Sequence, residues 1–280
     1  MTQVDLIKKF GLRIQGKLGQ HLLIDPNVAR KITGAIEPEK GEWILEIGPG
    51  LGALTESLLE AGSRVLAVEK DPRFVDALKQ EWGLKYAGQL ELIQADFLDL
   101  DLPAELKKRS KTPWKVISNL PYYVTAPLLF TIFEAGSLFS QAVFMMQREV
   151  AERITAKPGT REYGRLSVSV SYFSHPRHVM DVSPGCFTPQ PEVKSSVMAF
   201  TFKSKKERLS PALEKEFLAF VKRGFSQRRK TLLGLLIGQR PAWTRPALEA
   251  AFTQCALARD IRAERLALDD FLKLFAALRP

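Results

Sequence analysis

From residue 43 onward, short apolar runs alternate with amphipathic stretches long enough to be helices, and this alternation constrains the fold more than any other feature of the chain. The runs cover residues 43–47, 64–68, 90–93, 115–117 and 142–146, with helical periodicity over 51–61 and 72–82 between the first of them. Short strands separated by helix-length segments predict βαβ units and a parallel sheet, because parallel neighbours need a crossover connection between them. Two later runs, 166–172 and 193–202, lie closer together, with only a turn-rich stretch containing Pro184 and Gly185 between them. They predict an antiparallel pair at the sheet edge. After Lys205 the pattern turns to helical periodicity over 211–223, 228–237, 246–255 and 268–278, with no strand candidate.

The charge divides at the same place. Residues 203–280 hold 17 Lys and Arg against 8 Asp and Glu, whereas residues 1–202 hold 24 against 23, so almost all of the net charge of +10 sits on the carboxy-terminal part. The expected organisation is an α/β domain over residues 1–204 and a small, basic, all-α domain over 205–280. A concentrated positive field attracts polyanions by counterion release and steering, which makes nucleic acid the leading partner and an anionic membrane surface the weaker one. With 45% hydrophobic and 26% charged residues, the chain has the balance of a folded protein and not of a disordered one.

Other classes drop out. The longest uncharged stretch, 116–133, contains Ser118, Asn119, Pro121, Thr125 and Pro127, which a lipid-exposed span would not carry. Residues 1–10 hold no apolar stretch of the roughly 7 to 15 residues that a secretory signal needs. We therefore expect a cytoplasmic location and no membrane partner. Cys186 and Cys255 stand far apart without a CxxC motif, and His21, His175 and His178 are scattered, so neither a disulfide framework nor a metal site is expected.

The first motif is Glu46-Ile47-Gly48-Pro49-Gly50-Leu51-Gly52, directly after an apolar strand and opening a helix. Glycines at such a turn permit a tight bend and close approach of a ligand to the backbone. Glu69, at the end of the next strand, suits a bidentate hold on ribose hydroxyls. Read as Gly48-x-Gly50-x-x-Ala53, the loop also satisfies the dehydrogenase fingerprint, so this motif alone specifies a nucleoside cofactor without saying which. Asp96 follows the third strand, placed to accept a hydrogen bond from an adenine amine, with Phe97 beside it for apolar contact.

Asn119-Leu120-Pro121-Tyr122, after the fourth strand, is more specific. An exocyclic amine conjugated with its ring is a poor nucleophile, so an enzyme that alkylates it must orient it and accept its hydrogen bonds. The Asn119 side-chain oxygen and a neighbouring backbone carbonyl can do both, Pro121 stiffens the turn, and Tyr122 offers a ring for base stacking, worth about 1–3 kcal/mol.

With these segments the chain resembles the KsgA/RsmA-type ribosomal RNA adenine N6-dimethyltransferases, which use S-adenosylmethionine. The resemblance extends to Leu18-Gly19-Gln20-His21-Leu22-Leu23, Met146-Gln147-Arg148-Glu149-Val150-Ala151, Tyr163-Gly164-Arg165-Leu166-Ser167, the Phe187-x-Pro189-x-Pro191-x-Val193-x-Ser195 segment, and Phe225-Ser226-Gln227-Arg228-Arg229-Lys230-Thr231-Leu232. It implies a Rossmann-like methyltransferase domain with a small helical companion, acting as a monomer on two adjacent adenosines in the 3′-terminal hairpin of 16S ribosomal RNA, within the small subunit or its precursor. By the same resemblance His21 and Leu23 hold the methionine end of the cofactor, Gly48 lies against its loop-bound portion, Glu69 takes the ribose and Asp96 the adenine. Asn119 serves both cofactor and target amine, with Leu120 completing the turn. Tyr122 stacks on the flipped adenine and Phe187 lies on its other face. Lys222, Arg223, Arg228, Arg229 and Lys230 are the expected RNA contacts. Two departures stand out: His21-Leu22 replaces the usual Asn-Phe, and Leu233-Gly234 replaces Arg-Asn.

No side-chain nucleophile is required, because a sulfonium carries its own leaving group and catalysis is mostly positioning. A nicotinamide oxidoreductase would leave the Asn-Leu-Pro-Tyr segment and the basic domain idle. An Erm-type enzyme acting on large-subunit RNA, and a non-catalytic assembly factor on the same fold, are the alternatives.

Overall fold

The computed structural model describes residues 3–14, 21–241 and 243–279. The chain divides into two compact units, one comprising residues up to Ala151 with Pro176–Phe202, the other Glu152–His175 with everything from Lys203 onward.

The first unit is built on nine strands in chain order: β1 (Leu22–Leu23), β2 (Trp43–Ile47), β3 (Arg64–Glu69), β4 (Leu90–Gln94), β5 (Trp114–Asn119), β6 (Phe139–Gln147), β7 (Ser174–Val182), β8 (Phe187–Thr188) and β9 (Ser195–Phe202). Seven of them form one sheet in the order β4-β3-β2-β5-β6-β9-β7, and β1 pairs with β8 as a separate antiparallel ribbon. The pairs β4-β3, β3-β2, β2-β5 and β5-β6 are parallel, whereas β6 and β9 run antiparallel. Strand order reverses between β2 and β5. A crevice opens at the carboxyl ends of strands at such a switch point, and ligands bind there.

Sequence sets these elements locally. Strands β2, β3 and β5 are buried along almost their whole length, which explains their predominantly apolar character; the polar residues within them, Glu46, Lys115 and Ser118, are each buried with a hydrogen-bond partner. Helices Pro26–Gly34 and Pro72–Trp82 each start at an Asp-Pro pair, where Asp25 or Asp71 accepts a backbone N–H of the first turn and proline occupies a position needing no donor. Ile32, Ile36, Leu54 and Leu58, 3% exposed or less, pack with Ile44, Val65, Ala67 and Ile117 in one apolar cluster.

Two expectations are corrected. Residues 166–172 form no strand; they lie in helix Arg165–Phe173, and the antiparallel partner of β6 is β9 alone among them. The Leu-Ser-Val-Ser-Val-Ser alternation mimics a strand, but Ser167, Val168, Ser169 and Val170 are all buried, so there is no solvated face for it to report. The missing edge strand is β7, whose Pro176 and polar residues are tolerated because an edge strand has one unpaired side. The basic run 228–230 likewise lies in a turn and not on a helix. Thr231 caps the short helix Leu232–Leu236 by accepting the Gly234 N–H, so the helix begins only after the basic run.

The division after Phe202 lies two residues from the expected one at 204, but residues 152–175 group with the carboxy-terminal unit. Tyr172 explains this, since its ring lies 5.0 Å from Phe217 and its hydroxyl donates to Glu214. That unit is helical around Phe217, Phe220, Phe271 and Phe275, each 2% exposed or less. Among the described residues no helix is long and apolar enough to cross a membrane.

Candidate active site

A cavity of about 830 Å3 opens at the carboxyl edge of the parallel strands, within the first unit. Its volume is in the upper part of the range for small-molecule sites. Register explains why separate motifs share it. Ile47 pairs with Val68 on one side and Ser118 on the other, so Gly48, Glu69 and Asn119 are the next residues on three neighbouring strands.

The glycine loop forms one wall. Gly48 and Gly50 adopt φ of +65° and +56°, a region costly for other residues. A Cβ on Gly50 would come within 2.8 Å of Leu22, while one on Gly48 would meet nothing and would only fill space against the cavity. Glu69 is 8% exposed. Its two oxygens accept the Gly50 N–H at 3.1 Å and the Asp71 N–H at 2.8 Å, so one carboxylate holds both loop and following turn while facing the cavity. Burial raises its pKa, against those backbone hydrogen bonds. Asp96 accepts the Leu98 N–H and lies 2.7 Å from the Lys70 ammonium, which holds its carboxyl below the usual carboxylate range.

Asn119 donates from Nδ2 to the His21 carbonyl at 3.0 Å, which leaves Oδ1 to accept. His21 is itself tethered, its Nδ1 lying 2.8 Å from the Pro189 carbonyl, so that nitrogen carries the proton. The Tyr122 hydroxyl meets Ser195 Oγ at 2.6 Å, and burial raises the phenol's pKa. His21 and Tyr122 rings lie 5.3 Å apart at 31°. Leu23 and Leu120 line the same cavity with their apolar side chains, and the Leu120 N–H is held by Met145.

Phe187 is not brought to the cavity. It is 1% exposed, on β8 opposite Leu23, and packs in the core; the ring against Tyr122 belongs to His21. The Leu18-Gly19-Gln20 part of the amino-terminal motif lies outside the described residues.

Glu46, the first residue of the glycine motif, also belongs to the site although the sequence assigns it no role. It lines the cavity, is 1% exposed, and accepts the Thr55 hydroxyl at 2.6 Å. Burial, reinforced by the charge of Glu69 and opposed by the Thr55 bond, pushes its pKa up to about 8, so it is mostly protonated at neutral pH. Its place at the head of the glycine motif was the available signal.

These features together describe a nucleoside-sized cavity with a glycine loop, paired acids and an Asn-Leu-Pro-Tyr turn, and comparison with known proteins agrees. The sequence matches the family described as ribosomal RNA adenine dimethylase over residues 11–279. The chain belongs to that family. Adenine dimethylases of ribosomal RNA use S-adenosylmethionine, and this chain is such a methyltransferase. It is 38% identical over 279 residues to the ribosomal RNA small subunit methyltransferase A of Chlamydia caviae, covering 98% of this chain and 96% of that one. It is 37% identical to the protein of the same name from Geobacter metallireducens, covering 96% of each. Among solved structures, a dimethyladenosine transferase from Plasmodium falciparum superposes with a TM-score of 0.73 at 27% identity, over 91% of this chain and 96% of that one. The 23S rRNA methyltransferase ErmE shares the fold, with a TM-score of 0.69 at 24% identity over 92% and 99%.

In the second unit of this dimethylase the expected RNA contacts divide. Arg223 Nε donates to the Leu235 carbonyl, and Arg228 bonds both Glu264 and the Arg161 carbonyl, so these two arginines hold the unit's own loops. Lys222, Arg229 and Lys230 are exposed, with no ion pair among the described residues. Arg228 also reveals what the linear sequence conceals. The loops around 157–163, 225–231 and 256–266 are tied together by Arg228, by the Gly159 N–H to the Glu264 carbonyl at 2.7 Å, and by the Leu232 N–H to the Ile261 carbonyl at 2.8 Å. The loops so tied carry exposed Lys157, Arg161, Arg229, Lys230, Arg262 and Arg265 against exposed Glu162 and Asp260, a predominantly cationic set.

Proposed function

We propose that the protein dimethylates N6 of two adjacent adenosines in the 3′-terminal hairpin of 16S ribosomal RNA, acting on the small subunit or its precursor in the cytoplasm as a monomer. The observation that carries this reading is the near-full-length similarity to small subunit methyltransferases A, joined to a cavity whose Asn119 amide is oriented with its oxygen free.

S-adenosylmethionine supplies an activated methyl group. The cavity fits it: Gly48 leaves backbone open to close approach, Glu69 offers a carboxylate to ribose hydroxyls, and Asp96 to the adenine amine. His21 and Leu23 hold the methionine end. On the target side, Asn119 Oδ1 accepts one N–H of the adenine amine. The Pro121 carbonyl is occupied by Thr125 and Val124, so the Leu120 carbonyl is the second acceptor in this reading. Two acceptors at fixed positions orient the nitrogen lone pair, which is the main barrier for a conjugated amine. Tyr122, its hydroxyl anchored by Ser195, stacks on the inserted base.

Adenine N6 is inaccessible in a stacked helix, so the target must be extruded, at least cost from a loop. The three-loop cationic surface holds the surrounding RNA by its phosphates. The test is transfer of labelled methyl to unmethylated small subunits and, in parallel, to large-subunit RNA, followed by nucleoside mass analysis. Dimethyladenosine confined to small-subunit RNA is expected; label in large-subunit RNA, or none in either, overturns the reading.

A further inference from the structure

Only five large apolar side chains are exposed among the described residues, and two of them, Leu98 (39%) and Tyr123 (65%), line the mouth of the same cavity. Tyr123 is the only aromatic of the five. It directly follows Tyr122, whose hydroxyl is anchored on Ser195, whereas among the described residues no hydrogen bond or ring contact holds the Tyr123 ring. An aromatic ring left in water at the rim of a base-binding cavity loses apolar burial that folding would otherwise capture.

The third group on this rim is a cation. Lys70 stands at the end of β3, lines the cavity, and keeps 69% of its side chain exposed although its ammonium lies 2.7 Å from Asp96. Asp96 joins two of these groups, since its carboxylate accepts the Leu98 N–H and lies 2.7 Å from the Lys70 ammonium, and Tyr123 lines the same cavity. The rim therefore sets an exposed aromatic, an exposed aliphatic and a cation side by side outside the pocket for the inserted base. This is the pattern that binds single-stranded nucleic acid, with an aromatic for the base and a cation for the backbone.

We propose that Tyr123, with Leu98 and Lys70, forms a second nucleotide subsite: the base adjoining the inserted adenosine stacks on Tyr123, and the phosphate between the two nucleotides meets the Lys70 ammonium. The inference rests on the reading of the cavity as an adenosine-methylating site in RNA. When one of two adjacent adenosines enters the cavity, its neighbour must leave its own stack, and Tyr123 replaces the stacking lost. The Tyr123 ring acts on RNA binding and makes no contact assigned to the cofactor.

The experiment uses the full-length protein and an RNA hairpin with two adjacent loop adenosines, one replaced by 2-aminopurine, whose fluorescence is quenched by stacking. Wild type and Tyr123→Phe are expected to quench the probe and to methylate the remaining adenosine with similar KM. Tyr123→Ala is expected to lose the quenching and to raise the RNA KM about tenfold, with S-adenosylmethionine affinity unchanged. Equal quenching by wild type and Tyr123→Ala, or absent quenching in wild type, overturns the subsite. A Tyr123→Ala variant with weakened S-adenosylmethionine binding also overturns it, because the ring would then be a cofactor lid. Quenching without any methyl transfer by wild type would instead defeat the functional reading while leaving a Tyr123 base contact in place.

Discussion

Asn119 and His21 are 98 positions apart, yet the Asn119 amide donates to the His21 backbone carbonyl at 3.0 Å. The bond fixes which end of the amide faces the cavity, and the Pro189 carbonyl, bound to the His21 ring, fixes the donor's partner in turn. Because the acceptor is a backbone carbonyl, the bond itself requires no particular side chain at 21, and the His21 ring contributes only by tethering that segment to Pro189. Asn119→Ala should lower single-turnover methyl transfer by about 10²- to 10³-fold, the scale seen when one positioned hydrogen-bonding group is lost. Urea unfolding of the same variant should stay near wild type, since only one partly exposed side-chain bond is removed.

Glu46 makes stability depend on pH. Its pKa rises from an ordinary 4.5 to about 8 on folding, so between these values the folded state holds a proton that the unfolded state has released. Stability is therefore full below about pH 4.5 and falls as pH rises towards 8, by up to about 1.4 kcal/mol per pH unit from this group. Glu46→Gln keeps an acceptor for Thr55 and cannot ionise. Urea titrations should find the variant equal to wild type near pH 5 and more stable at pH 8, and parallel pH profiles would refute the assignment.

Much of this was legible beforehand, and the reasons differ by element. The central parallel strands were readable because burial of β2, β3 and β5 makes them predominantly apolar runs. Residues 166–172 misled because small serines, buried all round, imitate a solvated face. Gly48, Glu69, Asp96 and Asn119 line one cavity because each ends or follows a strand of the parallel sheet. Phe187 was misplaced because sequence order says nothing about which face of β8 turns inward. The cationic surface was only partly visible, since Lys157, Arg229 and Arg262 are brought together by hydrogen bonds between three distant loops.

Glu69 does two jobs with one carboxylate, holding the Gly50 and Asp71 amides while facing the cavity. Glu69→Ala removes the ribose acceptor and leaves two backbone donors unpaired. Calorimetric affinity for S-adenosylmethionine should fall by about 10- to 100-fold, the range for hydrogen bonds to charged groups. RNA affinity, measured without cofactor, should not move.

The basic turn separates structural from binding arginines. Arg228 is engaged by Glu264 at 2.7 Å and by the Arg161 carbonyl at 2.6 Å, whereas its neighbours Arg229 and Lys230 extend into solvent. Replacing Arg229 and Lys230 together by Gln should weaken binding of a small-subunit RNA hairpin and reduce the slope of log affinity against log salt by about 1.5, as expected for two lost phosphate contacts. Thermal stability should be unchanged, because neither side chain has an ion pair among the described residues to lose. Arg228→Gln should show the reverse, a stability loss of about 1 kcal/mol with the three loops loosened, and a salt slope reduced less than in the double variant. If the double variant binds with an unaltered salt slope, the three-loop surface does not carry the RNA, and the contacts must be sought elsewhere on the carboxy-terminal unit.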